Sequence, residues 1–219
     1  KTLPNAIALV DPHLGMPADC FADYAGVGVA FKLICALEGC SCEEMKEEYG
    51  DLVAIGTIAD MVPLVGENRI MVIQGLEQIN SLNRIGVQEL IIAAEITVEN
   101  ITAHEVAFGL APKLNAAGRM GDSFRSFRLL TTNDINEARL LASEICHENT
   151  MRQEVELSVW EACLQEHMED KKRFFNRVIV VAGYQWHHGV LGIVASRLCQ
   201  KFGKPAVVLS VDGDVAKGS

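Results

Sequence analysis

The sequence lacks three things: an excess of basic residues, a long hydrophobic run, and cysteines spaced for a metal site. Its 19 lysines and arginines stand against 29 aspartates and glutamates, which gives a formal net charge of −10. This balance argues against a protein that coats nucleic acid by bulk electrostatics, although an enzyme that grips phosphate with a few aimed arginines needs no basic total. No stretch reaches the roughly 18 uncharged apolar residues of a membrane span, so no association with a membrane is expected.

The seven cysteines are odd in number, and only Cys40 and Cys42 lie close together. Zinc sites usually need two such pairs or interleaved histidines, so the spacing favours reduced thiols in a cytoplasmic protein. The first residues show neither an initiator Met nor a signal-peptide pattern, which indicates that the chain starts in mid-protein. With 219 residues, 49% of them apolar, the chain is long enough for one large domain or one and a half.

The first part of the chain has the pattern of one strand followed by helices. Residues 6–10 form a short apolar run before Asp11 and Pro12, which predicts a buried strand that leads into a loop. Two capping-box sequences and amphipathic spacing then predict an α-rich region, with helices at about 69–80, 86–95 and 103–110.

Asp60 ends a run, residues 51–60, that is apolar nearly all round and therefore predicts a buried element. A buried carboxylate must be hydrogen-bonded or coordinate a cation, because an unpaired buried charge is very costly. The residues themselves leave two interpretations open, a carboxylate at a helix end or turn and a cation ligand.

The second part of the chain begins with a long helical pattern. No proline or glycine occurs from about 133 to 172, and apolar residues recur there at helical spacing, which predicts a helix that connects two domains. Beyond it the pattern changes, and strands at 178–182 and 206–210 flank a helix at 190–201. Together these elements predict a βαβ unit.

Two polar and glycine-containing runs stand out, residues 114–120 (LNAAGRM) and 186–197 (WHHGVLGIVASR). Glycine lets the backbone approach a partner closely, and the Arg119 guanidinium can bind two phosphate oxygens at once. A helix-capping or surface ion pair is the alternative for Arg119. In the second run, adjacent histidines point apart and disfavour a metal site, whereas the helix N-terminus that follows could receive a phosphate. We interpret His187 as a donor to the ligand and Arg197 as structural.

These blocks, with residues 25–33 (AGVGVAFKL), 56–60 (GTIAD) and 63–69 (PLVGENR), resemble the DHH phosphoesterase superfamily, and within it the single-strand-specific DNA exonucleases. The resemblance covers essentially the whole chain. It implies an α/β protein made of the C-terminal part of a DHH catalytic domain (1–132, α-rich with a remnant of a parallel sheet), a long connecting helix (133–173) and a partial DHHA1 substrate-binding domain (174–219).

The resemblance also implies roles for single residues. Asp60 matches the last metal-binding aspartate of the family, and Arg119 matches an arginine near the scissile phosphate. The expected substrate-binding residues are Asn115, which orients the loop of the first run or contacts the substrate, and Gly118, His187, Lys217, Gly218 and Ser219. The last three resemble the opening of a Gly-Ser-Gly-Arg-Ser motif that holds the 5′ phosphate, although Ser219 at the chain end is not expected to be ordered.

The activity that the resemblance implies is 5′–3′ hydrolysis of single-stranded DNA by water activated at two Mn²⁺ or Mg²⁺ ions, in DNA repair and recombination. One aspartate cannot hold two ions, so the chain by itself is expected to bind none and to be inactive. Helicases and single-strand-binding proteins are the protein partners to expect, and the oligomeric state is left open. Two rival functions are a phosphodiesterase acting on oligoribonucleotides or cyclic dinucleotides and a non-catalytic replication scaffold.

Overall fold

The fold is taken from a computed structural model and is described for residues 4–14, 20–169 and 176–219. In this part of the chain the helices are α1 (Gly26–Glu38), α2 (Cys42–Ala59), α3 (Gly66–Asn80), α4 (Ile85–Ala93), α5 (Ala103–Glu105), α6 (Ala111–Met120), α7 (Phe124–Thr131), α8 (Ile135–Glu169) and α9 (His188–Phe202). The strands are β1 (Ile179–Tyr184), β2 (Ala206–Asp212) and β3 (Val215–Gly218).

The chain divides into two compact units that share three helices. The helical unit comprises the described residues up to 112 together with 128–143, and the sheet unit comprises 113–127 and the described residues from 144 onward. The divisions fall inside α6, α7 and α8. The domain boundaries expected from the sequence, 1–132, 133–173 and 174–219, stay a prediction, and residues 170–173 of the expected connecting helix lie outside the described residues.

In the helical unit α2 and α3 pack closely because glycines remove side chains at their crossing. A Cβ on Gly75 would lie 2.2 Å from the Gly50 carbonyl oxygen and 2.4 Å from the Ala54 Cβ. The start of α2 is fixed by the predicted capping box, in which Ser41 and Glu44 satisfy each other's backbone N–H groups. Next to this crossing lies a small apolar core of Phe31, Cys35, Val53 and Met71.

A buried ion pair ties α2 to the start of α4. Asp51 is 6% exposed, and Arg84 donates from Nε to one of its carboxylate oxygens at 2.5 Å and from Nη2 to the other at 3.1 Å. The same guanidinium donates to the carbonyl oxygens of Glu48 and Leu130. Because the donors of Arg84 and both oxygens of Asp51 have partners, the two charges are compensated inside the unit.

The strand predicted at residues 6–10 is wrong. This segment is irregular, Ile7 is fully exposed, and Leu9 and Val10 are 44% and 56% exposed. A strand needs a neighbour that takes up its backbone N–H and C=O groups, and no described segment pairs with residues 6–10. The described part of residues 1–132 therefore contains no remnant of a parallel sheet, whereas the predicted α/β class is confirmed by the sheet unit.

The first glycine-containing run is helical, which corrects the loop expected there. From Ala103 the chain continues through α5, a π-helical turn (Val106–Leu110) and α6, and so reaches Met120 without a break. Pro112 cannot donate a helical hydrogen bond, and its ring crowds the preceding turn. The π-helical turn directly before α6 is wider than an α-helical turn and so makes room for the proline ring. Ala116 and Ala117 are completely buried, and this burial favours helix through the run.

The sheet unit contains the predicted βαβ arrangement. β1 and β2 are parallel, with Ile179 opposite Ala206 and Tyr184 opposite Val211, and α9 connects them and ends at Gly203 in the left-handed region. β3 adds an antiparallel strand to β2. The core between the sheet, α9 and the second half of α8 is made of Val159, Cys163, Ile179, Val181, Val190, Leu191, Val194, Ala195, Leu198 and Val208.

None of the helices described is at once long and apolar enough to cross a membrane.

Candidate anion-binding site

A pocket of about 520 Å³ in the sheet unit brings the two glycine-containing runs together. It lies where the C-terminal end of α6 meets the turn from β1 to α9, and its lining includes Arg119, Trp186, His187, His188, Ser210 and Asp212. The turn is sharp because Gln185 adopts a left-handed backbone with φ at 55°. A ligand site at the carboxyl ends of parallel strands and beside a helix N-terminus is where open α/β sheets generally bind their ligands.

His187 is the N-cap residue of α9 and lies directly before its first residue. Its backbone is extended, and its Nδ1 accepts a hydrogen bond from the Gly189 N–H at 3.1 Å. Because Nδ1 is an acceptor, the neutral ring carries its proton on Nε2. The exposed ring lines the pocket and has an Nε2–H free to donate, and its donation to a ligand stays a prediction.

Gly189 allows the ends of α6 and α9 to touch. A Cβ at this position would lie 2.1 Å from the Arg119 carbonyl oxygen, which is far inside van der Waals contact. The Arg119 side chain is exposed, and its Nη1 donates to the Gly189 carbonyl oxygen at 3.4 Å, a long and weak hydrogen bond. The remaining guanidinium N–H groups have no partner among the described residues, so they can bind oxygens of an anion.

The pocket continues towards β3. A neighbouring pocket of about 210 Å³ shares His188, Ser210 and Asp212 with the first and adds Lys217. Ser210 is 3% exposed, although it lines both pockets, and it lies opposite Lys217 in the strand pairing. We refer to the two pockets together as the groove. Arg119 and Lys217 bring positive charge to it, and the Asp212 carboxylate lines both pockets.

Two residues that line the groove, Ser210 and Asp212, were not identified from the sequence. They come at the end of the strand that follows α9, where the carboxyl ends of parallel strands meet, and this position was the available signal. Asn115 and Gly118 are both exposed, but only Gly118 lines the pocket. Asn115 lies in the middle of α6, one helical turn before Arg119, so there is no loop for it to orient, and its contact with the substrate stays a prediction.

The C-terminal residues take part in the sheet. Lys217 and Gly218 belong to β3, and Ser219 exchanges two backbone hydrogen bonds with Val208, at 2.9 and 3.1 Å. A Cβ on Gly218 would lie 2.2 Å from the Val208 carbonyl oxygen, so the glycine permits this close pairing. The Ser219 hydroxyl oxygen would be 3.2 Å from a Cβ on Gly192, which places it beside the second turn of α9.

Arg197 is structural, as predicted. Its Nη1 donates to a Glu156 carboxylate oxygen at 2.9 Å, and its guanidinium lies 4.4 Å from the centre of the Trp160 ring. The same carboxylate group accepts from Arg152 at 2.6 Å. These contacts leave Arg197 committed to α8 and distinguish it from Arg119.

Asp60 lies in the helical unit, directly after the last residue of α2. It ends the helix as predicted, but it is exposed, so the premise that it is a buried carboxylate is wrong. The carboxylate makes no hydrogen bond or ion pair with the described residues, which fits one oxygen ligand of a hard cation such as Mn²⁺ or Mg²⁺. Among the residues described, however, no group of three His, Cys, Asp or Glu could hold a metal ion.

No family model matches the sequence. Curated proteins, however, are similar to it over essentially its whole length. The single-stranded-DNA-specific exonuclease RecJ of Bacillus subtilis is 41% identical over 219 residues, which cover 99% of this chain and 27% of the relative. The protein of the same name from Escherichia coli is 36% identical over 236 residues, covering 100% of this chain and 40% of the relative. The chain thus spans well under half the length of these relatives.

Solved structures with the same fold are also available. A crystal structure of exonuclease RecJ bound to manganese has a TM-score of 0.78 and 36% identity, and the match covers 91% of this chain and 49% of that one. The magnesium complex of RecJ from Thermus thermophilus has a TM-score of 0.73 and 34% identity, covering 88% of this chain and 30% of that one. The sequence similarity and the structural similarity therefore point to the same group of proteins.

Proposed function

Because the chain is homologous over its whole length to part of the RecJ single-stranded-DNA-specific exonucleases, we propose that it belongs to a metal-dependent 5′–3′ exonuclease of this kind. The proposed substrate is single-stranded DNA, and the proposed setting is cytoplasmic DNA repair and recombination. Helicases and single-strand-binding proteins remain the predicted partners. The names of the relatives favour this function over an oligoribonucleotide or cyclic-dinucleotide phosphodiesterase and over a non-catalytic scaffold.

The observation that carries the proposal is the groove in the sheet unit. The free guanidinium donors of Arg119 and the His187 ring line the first pocket, and Lys217 lines the neighbouring pocket that shares His188, Ser210 and Asp212 with it. Hydrogen-bond donors and positive charge can hold a phosphodiester without any contact with a base edge. We propose that Arg119 binds the phosphate and stabilises the charge that develops on it during hydrolysis.

Asp60 is proposed as one ligand of the Mn²⁺ or Mg²⁺ ions that would activate the attacking water. Its free, exposed carboxylate is the chemistry that these ions prefer. A single carboxylate is not a metal site, so no catalytic step can be assigned to this chain by itself. The 219-residue chain is accordingly expected to show no Mn²⁺-dependent digestion of single-stranded DNA.

The proposal is tested by titrating the chain with dTMP or inorganic phosphate and following its amide and side-chain NMR signals. We expect shifts at Arg119 and His187, and we expect Arg119→Ala to weaken binding by about 10- to 100-fold because charged hydrogen bonds are lost. Arg177→Ala is the matched control, since Arg177 is also exposed but does not line the groove. Equal effects of the two substitutions would show that the groove does not recognise phosphate.

A further inference from the structure

The position of the Asp60 carboxylate is set by the backbone around it. The Asp60 N–H donates to the Gly56 carbonyl oxygen at 3.0 Å, and the Met61 N–H donates to the Ile58 carbonyl oxygen at 3.2 Å. Met61 then turns the chain with a left-handed backbone, φ 56°, which a residue other than glycine rarely adopts. Such a conformation persists only where the surrounding structure holds it, so the loop that follows Asp60, residues 61–65, must be anchored.

The anchor of this loop is the side chain of Asn68. Its Nδ2 donates to the Pro63 carbonyl oxygen at 3.1 Å and to the Asp23 carbonyl oxygen at 2.7 Å. One amide group therefore ties the loop to the segment that precedes α1. No other side chain in the described part of the chain makes a hydrogen bond to the backbone of residues 61–65.

Asn68 is completely buried, and its Oδ1 accepts no hydrogen bond from the described residues. Leaving a buried amide oxygen without a donor costs free energy, which a purely apolar side chain at this position would avoid. The residue is thus used for its two N–H groups. Both are directed at backbone oxygens, so the contact depends on the amide and not on the volume of the side chain.

The first turn of α3 holds Asn68 in place. Gly66 has φ at 51°, and a Cβ there would lie 2.9 Å from the Phe21 ring, so the loop closes tightly onto the segment before α1. The next residue, Glu67, forms an ion pair with Lys32 and accepts a hydrogen bond from Tyr24. These contacts fix the helix start on which Asn68 is carried.

We propose that Asn68 is a positioning residue for Asp60: its amide clamps the 61–65 loop and thereby sets where the Asp60 carboxylate lies. This inference rests on the proposed role of Asp60 as a metal ligand. Asn68 touches neither the metal ion nor the substrate. It acts through the Pro63 carbonyl oxygen and the backbone turn at Met61.

The chain provides a matched control in Asn80. Its Nδ2 also donates to two carbonyl oxygens, those of Leu76 and Ile101, at 2.8 and 2.9 Å. Asn80 anchors the end of α3 to the segment before α5 and makes no contact with residues 61–65. Asn68→Asp and Asn80→Asp therefore each remove two hydrogen bonds donated by Nδ2 and add a carboxyl group, one at the Asp60 loop and one away from it.

The first measurement is amide hydrogen exchange in the chain itself, where the Met61 N–H reports on the loop that Asn68 anchors. We expect Asn68→Asp to speed exchange at Met61 by about tenfold and Asn80→Asp to leave it unchanged. Ile101 should stay protected in both variants, because its N–H donates to the Asn80 Oδ1 at 2.7 Å and an aspartate oxygen can accept the same hydrogen bond. Equal protection of Met61 in both variants would overturn the clamp. Asn68→Leu, which keeps the buried volume without a charge, replaces Asn68→Asp if that variant does not fold. If neither folds while Asn80→Asp and Asn80→Leu do, Asn68 supports the whole unit and the specific role is overturned.

The second measurement places the same substitutions in the longer protein with its remaining metal ligands and follows the Mn²⁺ concentration needed for half-maximal activity. Asn68→Asp is expected to raise it by about tenfold, as removal of a residue that orients a metal ligand does, and Asn80→Asp is expected to leave it unchanged. Asp60→Asn separates the two proposals. If it leaves Mn²⁺ dependence intact, the role of Asp60 fails. If it abolishes Mn²⁺ dependence while Asn68→Asp changes nothing, only the positioning role fails.

Discussion

Gly189→Ala is the substitution that most directly tests how the candidate anion-binding groove is built. The new Cβ would lie 2.1 Å from the Arg119 carbonyl oxygen and 3.1 Å from the His187 Nδ1. A carbon and a carbonyl oxygen rarely approach closer than about 3.3 Å, so the ends of α6 and α9 must separate by roughly 1 Å. Neither obstacle is a flexible side-chain tip, because one is backbone and the other is the ring that caps α9.

The size of the effect follows from two opposing contributions. Overpacking of a close contact costs about 1–3 kcal/mol, and disturbing the His187 cap adds up to about 1 kcal/mol. Replacing glycine by alanine in a helix returns at most about 1 kcal/mol, and less in the first turn, where Gly189 lies. We therefore expect a net loss of about 1–3 kcal/mol in the free energy of unfolding, together with weaker phosphate binding because Arg119 and His187 move apart.

Urea denaturation and the dTMP titration measure the two parts separately. Gly192→Ala, in the same helix as Gly189, is the control. A Cβ there would meet only the Ser219 hydroxyl oxygen at 3.2 Å and the Ser219 Cβ at 3.6 Å. We expect this variant to bind dTMP nearly as the parent does. If Gly189→Ala were as stable as the parent and bound dTMP equally well, the contact between α6 and α9 would not hold the groove together.

Two further predictions concern the helical unit. Asp51→Ala should lower the free energy of unfolding by about 3 kcal/mol in urea denaturation, because it leaves the largely buried Arg84 guanidinium without its carboxylate. Glu43→Gln, which removes the charge of an exposed carboxylate paired with Lys46, should have no measurable effect. A similar loss of stability in both variants would contradict this account. The Thr102 hydroxyl and backbone N–H lower the pKa of Glu105 to about 2, so this carboxylate stabilises the fold above the ordinary pKa of a glutamate and loses that effect as pH falls through about 2. The stability difference between the parent and Glu105→Gln in thermal unfolding should therefore shrink from pH 5 to pH 2, and a constant difference would contradict the capping role.

Some elements could be predicted because local sequence alone specifies them. The capping boxes at Ser41 and Thr102 were recognisable because a hydroxyl and a glutamate three residues apart satisfy each other's backbone groups without help from the rest of the fold. The end of α9 at Gly203 was predictable for a similar reason, since glycine accepts the left-handed conformation there. Strand β3 was missed because all four of its residues are exposed and carry no apolar alternation, although Asp212-Gly213 is a hairpin signal.

Other features depended on contacts distant in sequence and could not be predicted. Residues 6–10 have the composition of a buried strand, but burial requires a neighbouring strand that the apolar pattern cannot guarantee. Glycine and asparagine in residues 114–120 suggested a loop, and the burial of Ala116 and Ala117 decided for helix. The role of Asn68 was likewise invisible, because its two acceptors are 45 and 5 residues away along the chain.

The charges that line the groove are compatible with the proposed binding of an anion by an acidic chain. Charges separated by more than a Debye length, about 8 Å at physiological salt, are largely screened, so the net charge of −10 matters less at the pocket than the groups that line it. There Arg119 and Lys217 contribute two positive charges against the one carboxylate of Asp212. The acidic total then disfavours binding of nucleic acid elsewhere on the surface, which suits the proposed binding of a single strand at the groove.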